Sequence, residues 1–292
     1  MGHGLSAARA DTGKEQSGAL EVHELHLEGD RRIGRSALVL SPKEARPDER
    51  LGVLVLLHGL GETTSEQLGL HAWSDRYGLV EADLRLRHPP VRSRNPRRYL
   101  PEARASQIDV ELAAHPYRGL VFVCPVTPNI YSPGLAPQAT TLDRYADWID
   151  GVLLPAVRAS VPVARTDAAG TAIDGCSLGG YVALEVFLRK PGTFGALGGV
   201  QTAIGEASAI AHAERLREAI DRVGPRGIHI ESSSWDPSLS AHLVMSKRLR
   251  ELGVPHDLDV LPGGHDQIFL REIGTLEMVL WHARRLPVTR VG

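Results

Sequence analysis

The sequence predicts a doubly wound α/β protein on a mostly parallel sheet, and three observations carry that expectation. Short aliphatic runs such as Val53-Leu54-Val55-Leu56-Leu57 recur between longer segments of helical periodicity, and a run that is apolar at every position fits a strand covered on both faces. The runs end in turns rich in Gly, Pro or His, where a strand gives way to a crossover helix. At 292 residues, 42% hydrophobic and 23% charged, the chain can bury such a sheet between two layers of helix. The same composition excludes a collagen, a coiled coil and a largely disordered chain.

Residues 20–27 alternate apolar and polar, and residues 36–40 form an apolar run closed by Ser41-Pro42, so the two predict antiparallel strands at a sheet edge. Residues 53–57 read as a central strand, and residues 119–124, followed by Pro125, repeat that signature. Residues 142–157 place Leu142, Tyr145, Ile149, Val152 and Leu153 on one stripe, with Asp and Arg opposite, as an amphipathic helix does. A strand at 171–174, a glycine-rich turn and a helix at 178–189 stopped by Pro191 come next. Strands at 195–200, 228–231 and 257–261 then alternate with helices at 206–223, 239–252 and 267–285. In such sheets, binding groups gather at the carboxyl ends of the strands.

The net charge of −2 gives no global attraction to polyanions, so no nucleic-acid partner is expected. Cys124 and Cys176 are the only cysteines, too few for a disulfide scaffold or a four-cysteine zinc site. His23 and His26 fall on a predicted strand and face opposite sides, and no H-E-x-x-H, P-loop or G-x-G-x-x-G pattern occurs, so neither a metal nor a cofactor is expected. Residues 1–18 are small and charged, without the apolar centre of a secretory signal, and read as a disordered tail before a domain over 19–292. No apolar run nears the ~18 residues that would span a bilayer, so stable membrane insertion is not expected and a cytoplasmic protein is.

Gly175-Cys176-Ser177-Leu178-Gly179 matches G-x-S-x-G between a predicted strand and a predicted helix. Small flanking residues there let the backbone turn sharply and lift the serine hydroxyl above the sheet. A serine needs a base, and the base needs a carboxylate to orient it. Among 13 histidines, His265 stands out in the turn Pro262-Gly263-Gly264-His265-Asp266, read as a flexible loop that can swing onto the serine. The acid is expected after the strand that precedes the last strand, which selects Asp236, with Glu231 and Asp266 in reserve. Asp236-Pro237 also reads as a helix start. Oxyanion donors are expected at the backbone N–H groups of Leu178, which opens a helix, and Leu60, in the loop His58-Gly59-Leu60-Gly61. His58 would hold that loop by a hydrogen bond, and Cys176 would be a packing residue.

These segments, in this order, resemble the esterase group of the α/β-hydrolases, which includes esterase D, the enterochelin esterases, feruloyl esterases and the mycolyltransferases. The likeness spans most of residues 51–286 and is most specific at the elbow and the Gly-Gly-His-Asp turn. It implies an α/β-hydrolase fold with antiparallel N-terminal edge strands. It further implies a Ser-Asp-His triad on Ser177, Asp236 and His265, and hydrolysis of a small carboxylic ester or thioester through an acyl-enzyme without a cofactor. An acyltransferase using the same acyl-enzyme and a non-catalytic binding protein on this scaffold are the alternatives. The chain departs from the family between the His58 loop and residue 119, with roughly fifty residues where a short crossover is usual. Residues 68–118 therefore read as a cap or flap insertion. Its arginines, Arg94 and Arg97 foremost, would recruit an anionic ester, unless they merely form a solvated face.

Overall fold

Val53–Leu57 and Val121–Pro125 offer no polar face to water, and every residue of both is buried in the middle of one sheet. The computed structural model describes residues 18–93 and 99–291. In chain order the strands are β1 (Leu20–His26), β2 (Ser36–Pro42), β3 (Glu49–Arg50), β4 (Val53–Leu57), β5 (Val121–Pro125), β6 (Thr171–Gly175), β7 (Ala196–Val200), β8 (Gly227–Trp235), β9 (Asp257–Gly264) and β10 (Thr289–Arg290). Eight of them form a sheet in the order β1-β2-β5-β4-β6-β7-β8-β9, and β3 pairs with β10 apart from it. The β1–β2 and β2–β5 pairings are antiparallel and the rest of the large sheet is parallel. The edge strands and the doubly wound order thus follow the expected pattern.

The helices are α1 (Glu66–Leu70), α2 (Leu79–Arg87), α3 (Glu102–Ala114), α4 (Gln138–Trp148), α5 (Leu154–Ser160), α6 (Leu178–Arg189), α7 (Glu206–Val223), α8 (Leu239–Glu251), α9 (Gln267–Phe269) and α10 (Thr275–Arg285). Alternation along β4 divides the core into two layers. Val53, Val55 and Leu57 belong to a cluster with Leu142, Val182, Leu216 and Met245 of α4, α6, α7 and α8. Leu54 and Leu56 belong to another with Leu86, Ile108 and Leu276 of α2, α3 and α10. The helix expected at 142–157 starts earlier and widens into a π turn at Ile149–Leu153. Pro155 follows, and a proline has no N–H to give to the preceding turn.

Residues 68–118 do not stand off as a flap where they are described. Leu79, Ala82 and Leu86 of α2 and Ile108 and Leu112 of α3 are buried in the second layer. Their arginines have internal acceptors. Arg85 Nη1 donates to the Glu272 carbonyl at 2.9 Å, Arg87 Nε to Asp83 Oδ2 at 2.6 Å, and Arg104 grips both oxygens of Glu277 at 2.6 Å. Glu272 and Glu277 lie too far along the chain to be visible to a local charge count. Arg94 and Arg97 lie outside the described residues, as do residues 1–17 of the expected tail. Among the described residues no helix is long and apolar enough to cross a membrane, and no cluster of three or more His, Cys, Asp or Glu side chains is arranged to hold a metal ion.

One buried polar contact ties the last helix to the strand before the serine. His282 Nε2 lies 2.8 Å from Asp174 Oδ2, and both side chains are fully buried. Burial lowers the His282 pKa against the pull of Asp174, so the neutral ring donates its Nε2 proton to the carboxylate. His282→Ala should therefore cost about 1–3 kcal/mol, the penalty for leaving a buried acceptor without its donor, and His282→Gln, which keeps a donor, distinctly less. Urea unfolding of both variants checks this; equal losses would mean that packing alone matters there.

Candidate active site

Ser177 sits at φ 54° and ψ −118°, a left-handed conformation that few residues other than glycine adopt. The cost is on the order of 1–3 kcal/mol and needs a surrounding frame to maintain it. Here the frame is hydrogen bonding from both sides. The Ser177 N–H donates to the Val200 carbonyl at 3.0 Å, and its own carbonyl accepts from the N–H groups of Tyr181 and Ala203 at 3.2 and 3.0 Å. Close approach makes the flanking glycines necessary. A Cβ on Gly179 would lie 2.1 Å from the Leu57 carbonyl oxygen, and one on Gly180 would lie 2.6 Å from Thr202 Oγ1. With no side chains in the way, α6 begins directly over the end of β4.

The partners of the serine come from the far side of the sheet. In the β8–β9 pairing Trp235 stands beside Gly264, so Asp236 and His265 follow neighbouring strand ends. His265 Nε2 lies 3.2 Å from Ser177 Oγ, and His265 Nδ1 lies 3.1 Å from Asp236 Oδ1. A carboxylate can only accept, which assigns the ring proton to Nδ1 and leaves Nε2 to face the serine hydroxyl. The structure thus brings together Ser177, Asp236 and His265. It also corrects the expectation of a swinging loop, because Pro262, Gly263 and Gly264 continue β9. Gln201 Nε2 donates to the Gly264 carbonyl at 2.9 Å and to Ser233 Oγ at 2.6 Å, which fixes the residue before the histidine. The two reserve acids are occupied elsewhere. Asp266 accepts from the Phe269 N–H at 2.8 Å as the cap of α9, and Glu231 is sealed in the core, its carboxyl pushed well up by burial and by Asp174.

Burial raises the Asp236 carboxyl, but hydrogen bonds from His265, the Ser238 N–H and Ser232 Oγ outweigh it and hold the group below the usual carboxylate range. Asp236 is therefore ionised at neutral pH, and by accepting from Ser238 it also serves the start of α8. His242, itself buried, brings Nδ1 to 3.5 Å from the same carboxylate. Cys176 is buried and its thiol is pushed up to about 12, first by that burial, so it remains neutral.

Leu60 opens the 3₁₀ turn Leu60–Thr64 and Leu178 opens α6. A first helical residue has no intrahelical acceptor for its N–H. His58 is clamped beneath this loop. Its Nε2 accepts from the Thr127 N–H at 2.9 Å, which leaves Nδ1 protonated to donate to the Gly59 carbonyl at 2.9 Å. The cleft over the serine is about 180 Å³ and is lined by Leu60, Glu62, Tyr77, Gln201, His265 and Asp266, among others. Glu62, Tyr77, Gln201, Gln267 and Leu270 also line the cleft without a motif to mark them in the sequence. An acid directly after His58-Gly59-Leu60-Gly61 is the one cue it held.

Burial pulls the His58 pKa down to about 4. The unfolded chain binds this proton near pH 6.5 and the folded one only near 4, so this group removes stability as pH falls through that window and none above it. The difference amounts to about 2–3 kcal/mol by pH 4.5. Unfolding free energies from urea titrations at pH 7.5 and 4.5 should differ less in His58→Gln than in the parent by that amount; an unchanged pH difference would show that His58 is not held neutral.

Residues 129–266 match the model of the family described as Putative esterase. No curated protein matches the chain by sequence. Among solved structures, a ferulic acid esterase aligns with a TM-score of 0.64 at 17% identity over 92% of this chain and 99% of its own. The S-formylglutathione hydrolase of Staphylococcus aureus gives 0.60 at 16%, over 90% and 98%. That of Agrobacterium tumefaciens gives 0.61 at 15%, over 95% and 99%. The family match over residues 129–266 lies inside an α/β-hydrolase-type fold that the chain shares with these esterases and hydrolases.

Proposed function

We propose that the chain hydrolyses a small carboxylic ester or thioester through an acyl-enzyme on Ser177. The observation that carries this reading is the chain of contacts Ser177 Oγ, His265 and Asp236 at 3.2 and 3.1 Å. His265 Nε2 takes the hydroxyl proton as Oγ attacks the carbonyl carbon, and Asp236 stabilises the imidazolium. The oxyanion is met by the N–H groups of Leu60 and Leu178, with the positive end of α6 behind the second. His265 returns its proton to the leaving group, which departs and leaves the acyl group on Ser177. A water, deprotonated by the same nitrogen, then attacks the acyl carbon and Ser177 leaves with the proton.

The described lining of the cleft carries two carboxylates, Glu62 and Asp266, and no lysine or arginine. This favours an ester that is uncharged near the scissile bond. Arg94 and Arg97, the residues expected to recruit an anionic ester, lie outside the described residues.

A fluorophosphonate probe should label the protein at Ser177 in equimolar amount and leave Ser177→Ala unmarked. Turnover of a short p-nitrophenyl ester should fall by about 10⁶ in Ser177→Ala and by up to about 10⁴ in Asp236→Asn, as for serine proteases. Full turnover by Ser177→Ala would refute the assignment, and transfer to an added alcohol at the expense of hydrolysis would make the chain an acyltransferase.

A further inference from the structure

We propose that Tyr77 and Glu62 form a positioning pair that aims the Leu60 N–H at the developing oxyanion, an inference that rests on the acyl-enzyme reading above. Two successive peptide planes decide where that N–H points. The Gly59 carbonyl is held by His58 Nδ1 at 2.9 Å, and in a trans peptide the N–H of the next residue is directed away from that carbonyl. The plane before it is set from Tyr77, whose Oη accepts from the Gly59 N–H at 3.2 Å.

A phenol has a single proton, and its acceptor decides which way the lone pairs face. Tyr77 donates that proton to Glu62 Oε2, and its lone pairs are thereby left for Gly59. Burial, with the neighbouring Cys176 and Glu62, pushes the Tyr77 pKa up, so the phenol stays protonated. Both side chains are buried, at 3% and 5% exposure, and a Cβ on Gly59 would crowd Tyr77 Oη at 3.2 Å. The hydroxyl reaches the reaction only through the loop amide, which makes Tyr77 a positioning residue and not a catalytic one.

The pair is anchored from the half of the site that carries the histidine. Arg76 Nε lies 3.0 Å from Glu62 Oε1 and compensates its charge. Gln267, two residues after His265, joins this ion pair. In the amide orientation that satisfies both groups, its oxygen accepts from Arg76 Nη2 at 2.7 Å. Arg271 donates to the carbonyls of Arg76 and Asp75 at 2.7 and 3.0 Å, and Thr275 Oγ1 donates to the Tyr77 carbonyl at 2.7 Å. The segment that sets the oxyanion loop is therefore fixed by the same C-terminal helices that follow the base.

The test is steady-state hydrolysis of p-nitrophenyl acetate by Tyr77→Phe, Glu62→Gln and the double variant, with Ser177→Ala alongside and thermal midpoints recorded for all. A misaimed donor weakens the transition state and leaves ester binding alone. Tyr77→Phe should lower kcat by about 10- to 100-fold, less than outright loss of an oxyanion donor, with KM within about twofold. Glu62→Gln turns an amide N–H toward the phenol and should lower kcat by about tenfold. The double variant should match Tyr77→Phe, because the two act as one unit. Parental kcat in Tyr77→Phe, a rise in KM alone, or a double variant equal to the product of the two singles would overturn the inference. If Tyr77→Phe fails to fold, the split between kcat and KM in Glu62→Gln decides by the same criterion. Retained turnover in Ser177→Ala would instead remove the esterase reading on which the inference rests.

Discussion

The edge of the sheet that carries the proposed catalytic residues depends on how closely the turn after β6 approaches the end of β4. Gly179 lies where any Cβ would strike the Leu57 carbonyl, and Gly175 lies where a Cβ would strike the backbone of Gly179. Only a glycine-flanked turn brings these main chains into contact. Because they are in contact, the first amide of α6 and the loop at His58 border one small cleft. The left-handed Ser177 is the strained residue at its centre, held by Val200, Tyr181 and Ala203. A bulkier turn would move the serine and separate the two amides together.

The second constraint is the register of β8 against β9. Pairing Trp235 with Gly264 makes an aspartate and a histidine neighbours although 29 residues separate them in the chain. Gln201 then joins the ends of β7, β8 and β9 with one amide group. Its own left-handed backbone, φ 49°, is a second strained position at the same edge. Strain of this kind gathers where the surrounding structure over-determines geometry, and His265, the proposed base, accordingly follows a strand end and not a swinging loop.

The legible part of the fold was the part written in periodicity. Val53–Leu57 had no polar position, and the structure buries all of it; Glu206–Val223 had a clear stripe and forms one helix. The elbow was legible because its glycines are demanded by backbone contact, which leaves a mark in sequence. The ends of β8 and β9 were not. Ser232-Ser233-Ser234 and Pro262-Gly263-Gly264 have poor strand propensity, and only pairing to each other draws them into the sheet. The fate of the described part of residues 68–118 was equally hidden, since Arg104 finds Glu277 and Arg85 finds the Glu272 carbonyl more than 170 residues along the chain. Of the site, Ser177 and His265 carried local motifs and Asp236 followed from chain order. Tyr77, Glu62 and Gln201 form polar contacts with no periodic signature, and a sequence cannot announce them.

The most direct test of the account is a crystal structure of the protein after reaction with a small alkyl fluorophosphonate, whose tetrahedral phosphorus imitates the oxyanion intermediate. The account predicts phosphorus bonded to Ser177 Oγ and the phosphoryl oxygen about 2.7–3.1 Å from the amide nitrogens of both Leu60 and Leu178. A phosphoryl oxygen turned to solvent, or phosphorus on any other side chain, would contradict it.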